Sequence, residues 1–512
     1  MSTSSGDGSP NLAPAGVLRS VWTSDNLARL ALIVLVLVSI LRLSQRSIGL
    51  DEGMLLTNLF HAGGLQDLFG PMPFYDQAQP VLASAFHQAM LFVTEDVWAL
   101  RVMSAMAVGL SSVLSIRVLR AERAPWLAIT LAAGAFLGPL AYYATEIKHY
   151  ALELVQAFFL VYTFHLFYQR RITLQAFAVI AAISAFLGFS TLIPTVLSIA
   201  FCVALQLRTS GTSAAMVQWP GLAVSAVLLA LNYLSLKYLT REQLEVPAYA
   251  SDGLLADLGV LAVALGSAHG GVISVIALVI ALVSILARRG SRFAVRLGLL
   301  FIAFCVAILL GKMTGVYPVI SARHVIWTTP FALTLVGLFL ATELQARGKT
   351  PLVLVVGGLC SIAAFWETGR IMIDDGAVEF ADNEALYRHL ASLPPQEIGL
   401  YPYAVPSLDY YARHISGLER HTYIGRRVYP SGTRFDQAEF DGLAEGLEGI
   451  EGSRRLYVVS HLPSSVDPPD AGTRRVNRLE DALRARGCAW SEEFAGRRVS
   501  LLMVYCRPEP SR

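Results

Sequence analysis

Charge is scarce in this sequence. Of 512 residues only 15% are Asp, Glu, Lys or Arg, whereas 54% are hydrophobic, and mean hydropathy is positive. Soluble globular chains carry about 25% charge, so the deficit excludes that class and points to a membrane protein of many spans. A net charge of +2 gives no case for a nucleic-acid partner. Soluble-enzyme motifs are missing as well: there is no Walker loop, no GxGxxG after a strand, no HExxH and no CxxC. The opening segment, "MSTSSGDGSPNLAPAG", lacks the basic region, short apolar core and cleavage site of a secretory signal. Residues 1–26 are therefore expected to be a disordered cytoplasmic segment, and the apolar run behind them a retained anchor. Cysteine is sparse too, with five residues. Cys202, Cys305 and Cys360 lie in apolar runs, where a thiol behaves as a small hydrophobe. Cys488 and Cys506 lie in a more polar tail and flank strand-like stretches. A bridge between them needs an oxidising compartment and a geometry that sequence does not display.

What the chain has in quantity is long apolar runs. A helical crossing takes about 20 apolar residues for about 30 Å of hydrocarbon. By that ruler crossings are expected near 27–43, 98–119, 126–144, 150–169, 172–189, 191–208, 218–236, 272–288, 293–311, 323–343 and 350–369. The fold class is thus mainly α: a polytopic membrane protein of about eleven transmembrane helices with surface helices in its first outward loop. Residues 80–93, "PVLASAFHQAMLFV", are too short to cross and read as interfacial. The unbroken run 172–207 reads as two spans turned at "GFSTLIP", and 254–271 as interfacial or re-entrant. Arginines and lysines fix the orientation. With the N-terminus cytoplasmic, Arg117, Arg120, Arg123, Arg170, Arg171, Arg208 and the 288–296 cluster all face inward, as the positive-inside rule requires. The loop 44–97, the loop "ATEIKHY", the loop "GKMTGVYPVISARH" and the tail then face outward. Residues 27–371 form the transmembrane unit. Residues 372–512, richer in charge, are expected to be a small extracytoplasmic α/β domain, with "EALYRHLASL" and "RRVNRLEDALRARG" as helices and "RLYVVSHL" and "RVSLLMVYC" as strands.

Against this apolar background, charge near the outer lip stands out. Asp51 and Glu52 directly follow the first span, in "GLDEGMLLTNLFHAGG", at the start of an amphipathic helix where the helix dipole favours anions. Glu146 and Lys148 sit at the mouth between two spans, in "YATEIKHYALE". Ionisable groups so placed are costly and commonly line a water-filled cavity, although a lysine can also snorkel to the headgroups. Glu153 falls one heptad below Glu146, and His149 reads as a satisfied interfacial histidine rather than a metal ligand. Arg101 begins the second span, while Arg323 and His324 begin the tenth. Both arginines face outward against the general bias, at the depth where a guanidinium can grip phosphate oxygens or simply anchor to headgroups. Carboxylates beside cations at a lipid surface suit transfer from a lipid phosphate: one carboxylate removes a hydroxyl proton, and cations hold the departing charge.

At these residues the sequence resembles the membrane-embedded GT-C glycosyltransferases, in particular the bacterial branch related to protein O-mannosyltransferases, with its aminoarabinose and Rgt-type galacturonosyl transferases. The resemblance spans roughly 27–345 and rests on "LDEG", "QAQPVLASAFHQAMLF" with "WALRVMSAMAVGLSSVLSI", "YYATEIKHYALEL" and "SARHVIWTTPFALTLVGLFLA". It implies a polyprenyl-phosphate sugar donor, a hydroxyl acceptor and inversion at the anomeric carbon. Asp51 would be the base or acceptor-orienting carboxylate, Glu52 its support and Glu146 the second acidic residue. Arg101, Lys148, Arg323 and His324 would be candidates for the donor phosphate. The histidine that such proteins carry before paired prolines is replaced here by "QAQP", and no cofactor is implied beyond a divalent cation that Asp51 and Glu146 could share. The expected site therefore lies on the outer face of a bacterial inner membrane. The rival readings are a transporter of lipid-linked sugars, which would call for sites open to both sides and repeated halves, and an anchor presenting the tail domain.

Overall fold

In a computed structural model the described residues are 24–62, 70–75, 77–216, 218–240, 253–315, 317, 322–345, 351–373, 382–431, 445–450, 453–460, 480–481, 483–496 and 499–507. The N-terminal segment, part of the "GKMTGVYPVISARH" loop and half of the expected helix 474–487 lie outside them.

Apolar runs become helices because hydrocarbon leaves no other partner for the backbone. They are α1 (Ser24–Ser44), α4 (Val97–Ala121), α5 (Trp126–Ala144), α6 (Tyr150–Tyr168), α7 (Leu174–Ser184), α8 (Leu192–Met216), α9 (Trp219–Leu239), α10 (Leu254–Ala268), α11 (Val272–Ser284), α12 (Arg292–Met313), α13 (Thr329–Gln345) and α14 (Pro351–Ile373). Between α1 and α4 lie α2 (Leu50–His61) and α3 (Val81–Val93). Local signals set several of the starts: Asp96 accepts from the backbone of Trp98 and Ala99, Thr173 from Ala176 and Ser291 from Ala294. Among the described residues eight helices are long and apolar enough to cross a membrane, and nine if α10 and α11, bent by 99°, form one broken span. The expected count of about eleven is therefore not reached by that measure. The difference lies in α7 and α14, whose apolar parts, Leu174–Leu187 and Pro351–Glu367, are shorter.

Burial tells lipid-facing helices from central ones. The span containing α13 is 94% buried, whereas that of α9 is 17% buried, so α13 is the bundle's axis and α9 lies at its rim. A proline shapes the bundle near the end that carries the tail. Pro139 inside α5 has no N–H, which leaves the Ala135 carbonyl without its helical donor. The Ser274 hydroxyl of α11 donates to that carbonyl at 2.5 Å. Gly270, at φ +84°, makes the turn between α10 and α11 and passes against the same carbonyl.

The tail holds α15 (Asn383–Ser392), β1 (Glu397–Leu400), α16 (Val405–His414), β2 (Thr422–Ile424), β3 (Arg454–Ser460), β4 (Cys488–Gly496) and β5 (Val499–Cys506). The sheet runs β2-β1-β3-β5-β4, with β1 parallel to both neighbours and β5 antiparallel to both of its own. Alternation along β3 feeds two cores. Leu456 and Val458 join Leu386, Leu390 and Leu408 in a core that also holds Ile48, Leu56, Val97 and Ile147 of the membrane part. Tyr457 and Val459 join a second core with Met54 and Tyr75. The sheet is thus welded to one end of the bundle rather than tethered to it.

The weld explains the tyrosines, for which sugar stacking and packing were both open. Tyr401 and Tyr403 are buried in the second core. The hydroxyls of Tyr410 and Tyr411 accept from the backbone N–H of Val97 (3.3 Å) and Ile48 (3.1 Å). Packing and fastening account for all four. Cys488 and Cys506 sit opposite one another on β4 and β5 and form a disulfide.

Candidate active site

Glu52 occupies the first turn of α2 and reaches back to the Gly49 N–H at 3.2 Å, satisfying one of the donors that a helix start leaves free. Its side chain then collects four more donors. Arg101 gives Nε at 3.2 Å and Nη2 at 2.5 Å, Arg46 gives Nη2 at 3.2 Å, and the Ile147 backbone N–H lies at 3.0 Å. Burial alone would push this carboxyl up. The Arg101 and Arg46 charges and the hydrogen bonds overcome it and bring the group down to about 2. Arg101 is equally committed: beyond Glu52, it donates to the carbonyls of Ser44, Arg46 and Ser47. It is fully buried and engaged around its whole fork, so its geometry is that of a strut between α4, the end of α1 and the start of α2, not of a free phosphate contact. Burying two arginines is tolerable only because this carboxylate and these carbonyls surround them.

Asp51, the preceding residue, has a different environment. Its side chain is 38% exposed, and Arg323 Nη1 donates to its Oδ2 at 2.7 Å across 272 residues of sequence. Burial opposes ionisation here too, but the charges of Lys148 and Arg323 prevail and hold the carboxyl below its ordinary value. Lys148 is buried, which lowers its own value against the pull of Asp51 and Glu146, and its ammonium donates to Gln77 Oε1. Glu146 completes the group. It is buried, its Oε2 meets no hydrogen-bond partner, and burial raises it to about 7, with Arg46 and Lys148 pulling down and Glu52 and Asp51 pushing up.

The structure thus brings together Asp51, Glu52, Glu146, Arg101, Lys148 and Arg323. His324 neighbours them: its carbonyl accepts from the Tyr317 hydroxyl, and its charge acts on His149. The His149 ring packs on Tyr150 and Phe189, and burial holds it well below its ordinary value. Glu153 lies deeper, accepting from the Ser190 N–H at 3.0 Å.

Three participants were given no role by the sequence. Arg46 shares the signal that marked Arg101 and Arg323, an arginine beside a span end. Gln77 opens the "QAQP" stretch, but only Lys148 gives it a role. His87 on α3 is buried, contacts Gln79 at 2.6 Å through Nδ1, and is pushed down to about 4 by burial. Gln79 stands in the "QAQP" stretch, so that departure is tied to a histidine eight residues further on. No group of three or more His, Cys, Asp or Glu among the described residues is placed to hold a metal ion. Asp51 already spends an oxygen on Arg323.

No protein-family model and no curated protein matches the sequence. Solved structures do. The crystal structure of ArnT from Cupriavidus metallidurans in the apo state is 13% identical, matches over 96% of this chain and 98% of its own, and has a TM-score of 0.50. That of the same protein bound to undecaprenyl phosphate is 14% identical over 94% and 98%, with a TM-score of 0.48. The chain shares the fold of ArnT across nearly its whole length.

Proposed function

We propose that this chain is an integral membrane glycosyltransferase that moves a sugar from a polyprenyl-phosphate donor to an acceptor hydroxyl on the outer face of the membrane. The observation that carries this reading is the half-exposed Asp51 held against Arg323, with Lys148 beside it, where α2 meets the outer helix ends. The step is a single inverting displacement. Asp51 takes the acceptor's proton while the acceptor oxygen bonds to the anomeric carbon. The bond from that carbon to the phosphate oxygen breaks, and the polyprenyl phosphate leaves with the electron pair. Lys148 and Arg323 hold the phosphate's charge in a site of low dielectric, where each such contact counts for more than in water; His324 stands at the edge of this group. Arg101 serves by gripping Glu52, and so fixes the first turn of α2 that presents Asp51. Glu146, raised to about 7 and unpartnered at Oε2, would in its neutral form donate a hydrogen bond to the bound substrate.

One observation favours an exchange of roles. A base works best when its value lies near the operating pH, and Glu146, not Asp51, has that value. Against the exchange, Asp51 is the more exposed of the two and so the more open to an incoming acceptor. The outward placement is supported by the positive-inside bias and by the Cys488–Cys506 bond.

The test is turnover of labelled polyprenyl-phosphate sugars by the purified full chain, read as release of polyprenyl phosphate. Asp51→Asn is expected to lower the rate about 10²- to 10⁴-fold with an unchanged melting temperature. Full activity in that variant would remove Asp51 from the chemistry. Movement of the intact donor across a sealed vesicle, without release, would favour the transporter.

A further inference from the structure

Lys148 owes its position to a segment remote from it in sequence. Its ammonium meets Gln77, and Gln77 hangs from a strap, residues 72–75, that crosses the outside of α2. Two elements pin that strap. From beneath, the Asn58 carboxamide brackets Phe74: Oδ1 accepts from the Phe74 N–H at 2.9 Å, and Nδ2 donates to the Phe74 carbonyl at 3.0 Å and to Met54 at 2.9 Å. From above, the tail supplies a short antiparallel bridge, Phe74 to Pro430. The Tyr75 N–H donates to the Tyr429 carbonyl at 2.9 Å, while the Ser431 N–H and hydroxyl donate to the carbonyls of Pro73 and Met72, each at 2.8 Å.

Such pinning is needed, because Tyr75 sits at φ +61°, a left-handed region that disfavours a residue with a side chain. Tyr75 is buried in the core with Met54, Tyr401, Tyr429 and Tyr457, so the burial of its ring is coupled to the strained turn that leads to Gln77. The amide of Gln77 is further steadied by Met54 Sδ at 3.6 Å and the Tyr75 carbonyl at 3.5 Å.

We propose that Asn58 and residues 429–431 of the tail are positioning residues for Lys148: they clamp the strap 72–75, and through Gln77 the strap sets where the ammonium stands. The tail is then part of the site without touching a reacting group. The clamp is independent of the functional reading, but its effect on turnover rests on that reading through the role given to Lys148.

The test uses the full chain in lipid nanodiscs and follows reductive methylation of Lys148 by mass spectrometry, across pH, with exposed Lys237 as the internal reference. In Asn58→Ala two hydrogen bonds to the strap are lost, so the plateau rate at Lys148 should rise about tenfold over Lys237. The pH midpoint of its labelling should also move up, as water reaches the amine. Ser431→Ala removes one bond at the rim and should give a smaller change in the same direction. It keeps the test open should Asn58→Ala fail to fold. Gln77→Ala should reproduce both effects without altering the strap. A merely structural role would lower melting temperature and leave both the Lys148 rate relative to Lys237 and the Lys148 pH midpoint as they are in the wild type. That result in folded Asn58→Ala and Ser431→Ala overturns the clamp. In turnover, clamp variants should lose about 10- to 100-fold, mostly in kcat, since a shift of about 1 Å in a charged contact costs that much. A wild type that releases no polyprenyl phosphate defeats the functional reading and leaves the labelling result standing.

Discussion

Two adjacent carboxylates, Asp51 and Glu52, show how environment divides labour. Glu52 is enclosed by five donors and driven down to about 2, so it is a fixed anion around which Arg46, Arg101 and the first turn of α2 are built. Asp51 keeps an open side and one strong partner. Glu146 is the group that titrates in the working range, at about 7. If its neutral carboxyl is the useful form, kcat/KM should fall as pH rises through about 7, because the ionised group repels the donor phosphate. Glu146→Gln should flatten that limb. A limb that rises instead, and vanishes in Glu146→Gln, would make Glu146 the base and Asp51 its companion; initial rates of polyprenyl phosphate release across neutral pH decide. Much of this cluster was legible, because a charge beside hydrocarbon is conspicuous when only 15% of residues are charged. The pairing was not. Arg101 and Arg323 look alike in sequence, both outward at a span start. Only the fold gives the first to Glu52 and its neighbouring carbonyls, and the second to the exposed Asp51. Gln77, though it opens the quoted "QAQP" stretch, had no assignable role for a related reason: a neutral amide in a loop acquires meaning only from the lysine it meets.

Among the elements, the apolar runs announced the helices and their order, since a span must be both long and apolar. They did not announce how a run ends or bends. The run at 172–207 does turn near "GFSTLIP", but its first half stops at Ser184 and finishes as a 3₁₀ turn, Ala185–Leu187. Residues 254–271, read as interfacial or re-entrant, form α10 and its sharp junction with α11. That junction depends on one carbonyl. Ala135 loses its donor to Pro139 and regains one from Ser274, while Gly270 leaves room for the contact. Removing the hydroxyl in Ser274→Ala should cost about 1–3 kcal/mol, the penalty for a buried acceptor left bare. Pro139→Ala returns a backbone N–H, so Ser274→Ala should cost much less in that background. The double-mutant cycle by thermal unfolding in detergent checks this coupling, and simple additivity would show that Ser274 serves some other partner. In Gly270→Ala the methyl would approach the Ala135 carbonyl to 2.9 Å at a residue already at φ +84°. Destabilisation there should exceed that of Ser274→Ala.

At the scale of the molecule, the tail belongs to the site. Its helices α15 and α16 grip Ile48 by both backbone groups, through Asn383 and Tyr411, just ahead of Asp51. Gly53 of α2 lets that helix come so close to α16 that a methyl there would meet the Pro406 backbone at 3.1 Å. The sequence displayed the tail as a separate unit because its charge density changes near Met372; contacts between parts so far apart leave no local trace. The weld ties orientation together: if the tail is outside, so are Asp51, Lys148 and Arg323. Two cysteine variants on exposed positions decide it. Ser416→Cys, beyond α16, should react with a membrane-impermeant maleimide on intact spheroplasts. Arg171→Cys, between α6 and α7, should react only after permeabilisation if the basic loops face the cytoplasm. The native pair should remain unreactive until reduced, since Cys488 and Cys506 are joined. The reverse labelling pattern would turn the bundle over and put the carboxylates and their cations on the cytoplasmic face. An acceptor and donor would then have to meet where thiols are kept reduced, a compartment in which the bond between β4 and β5 would not persist.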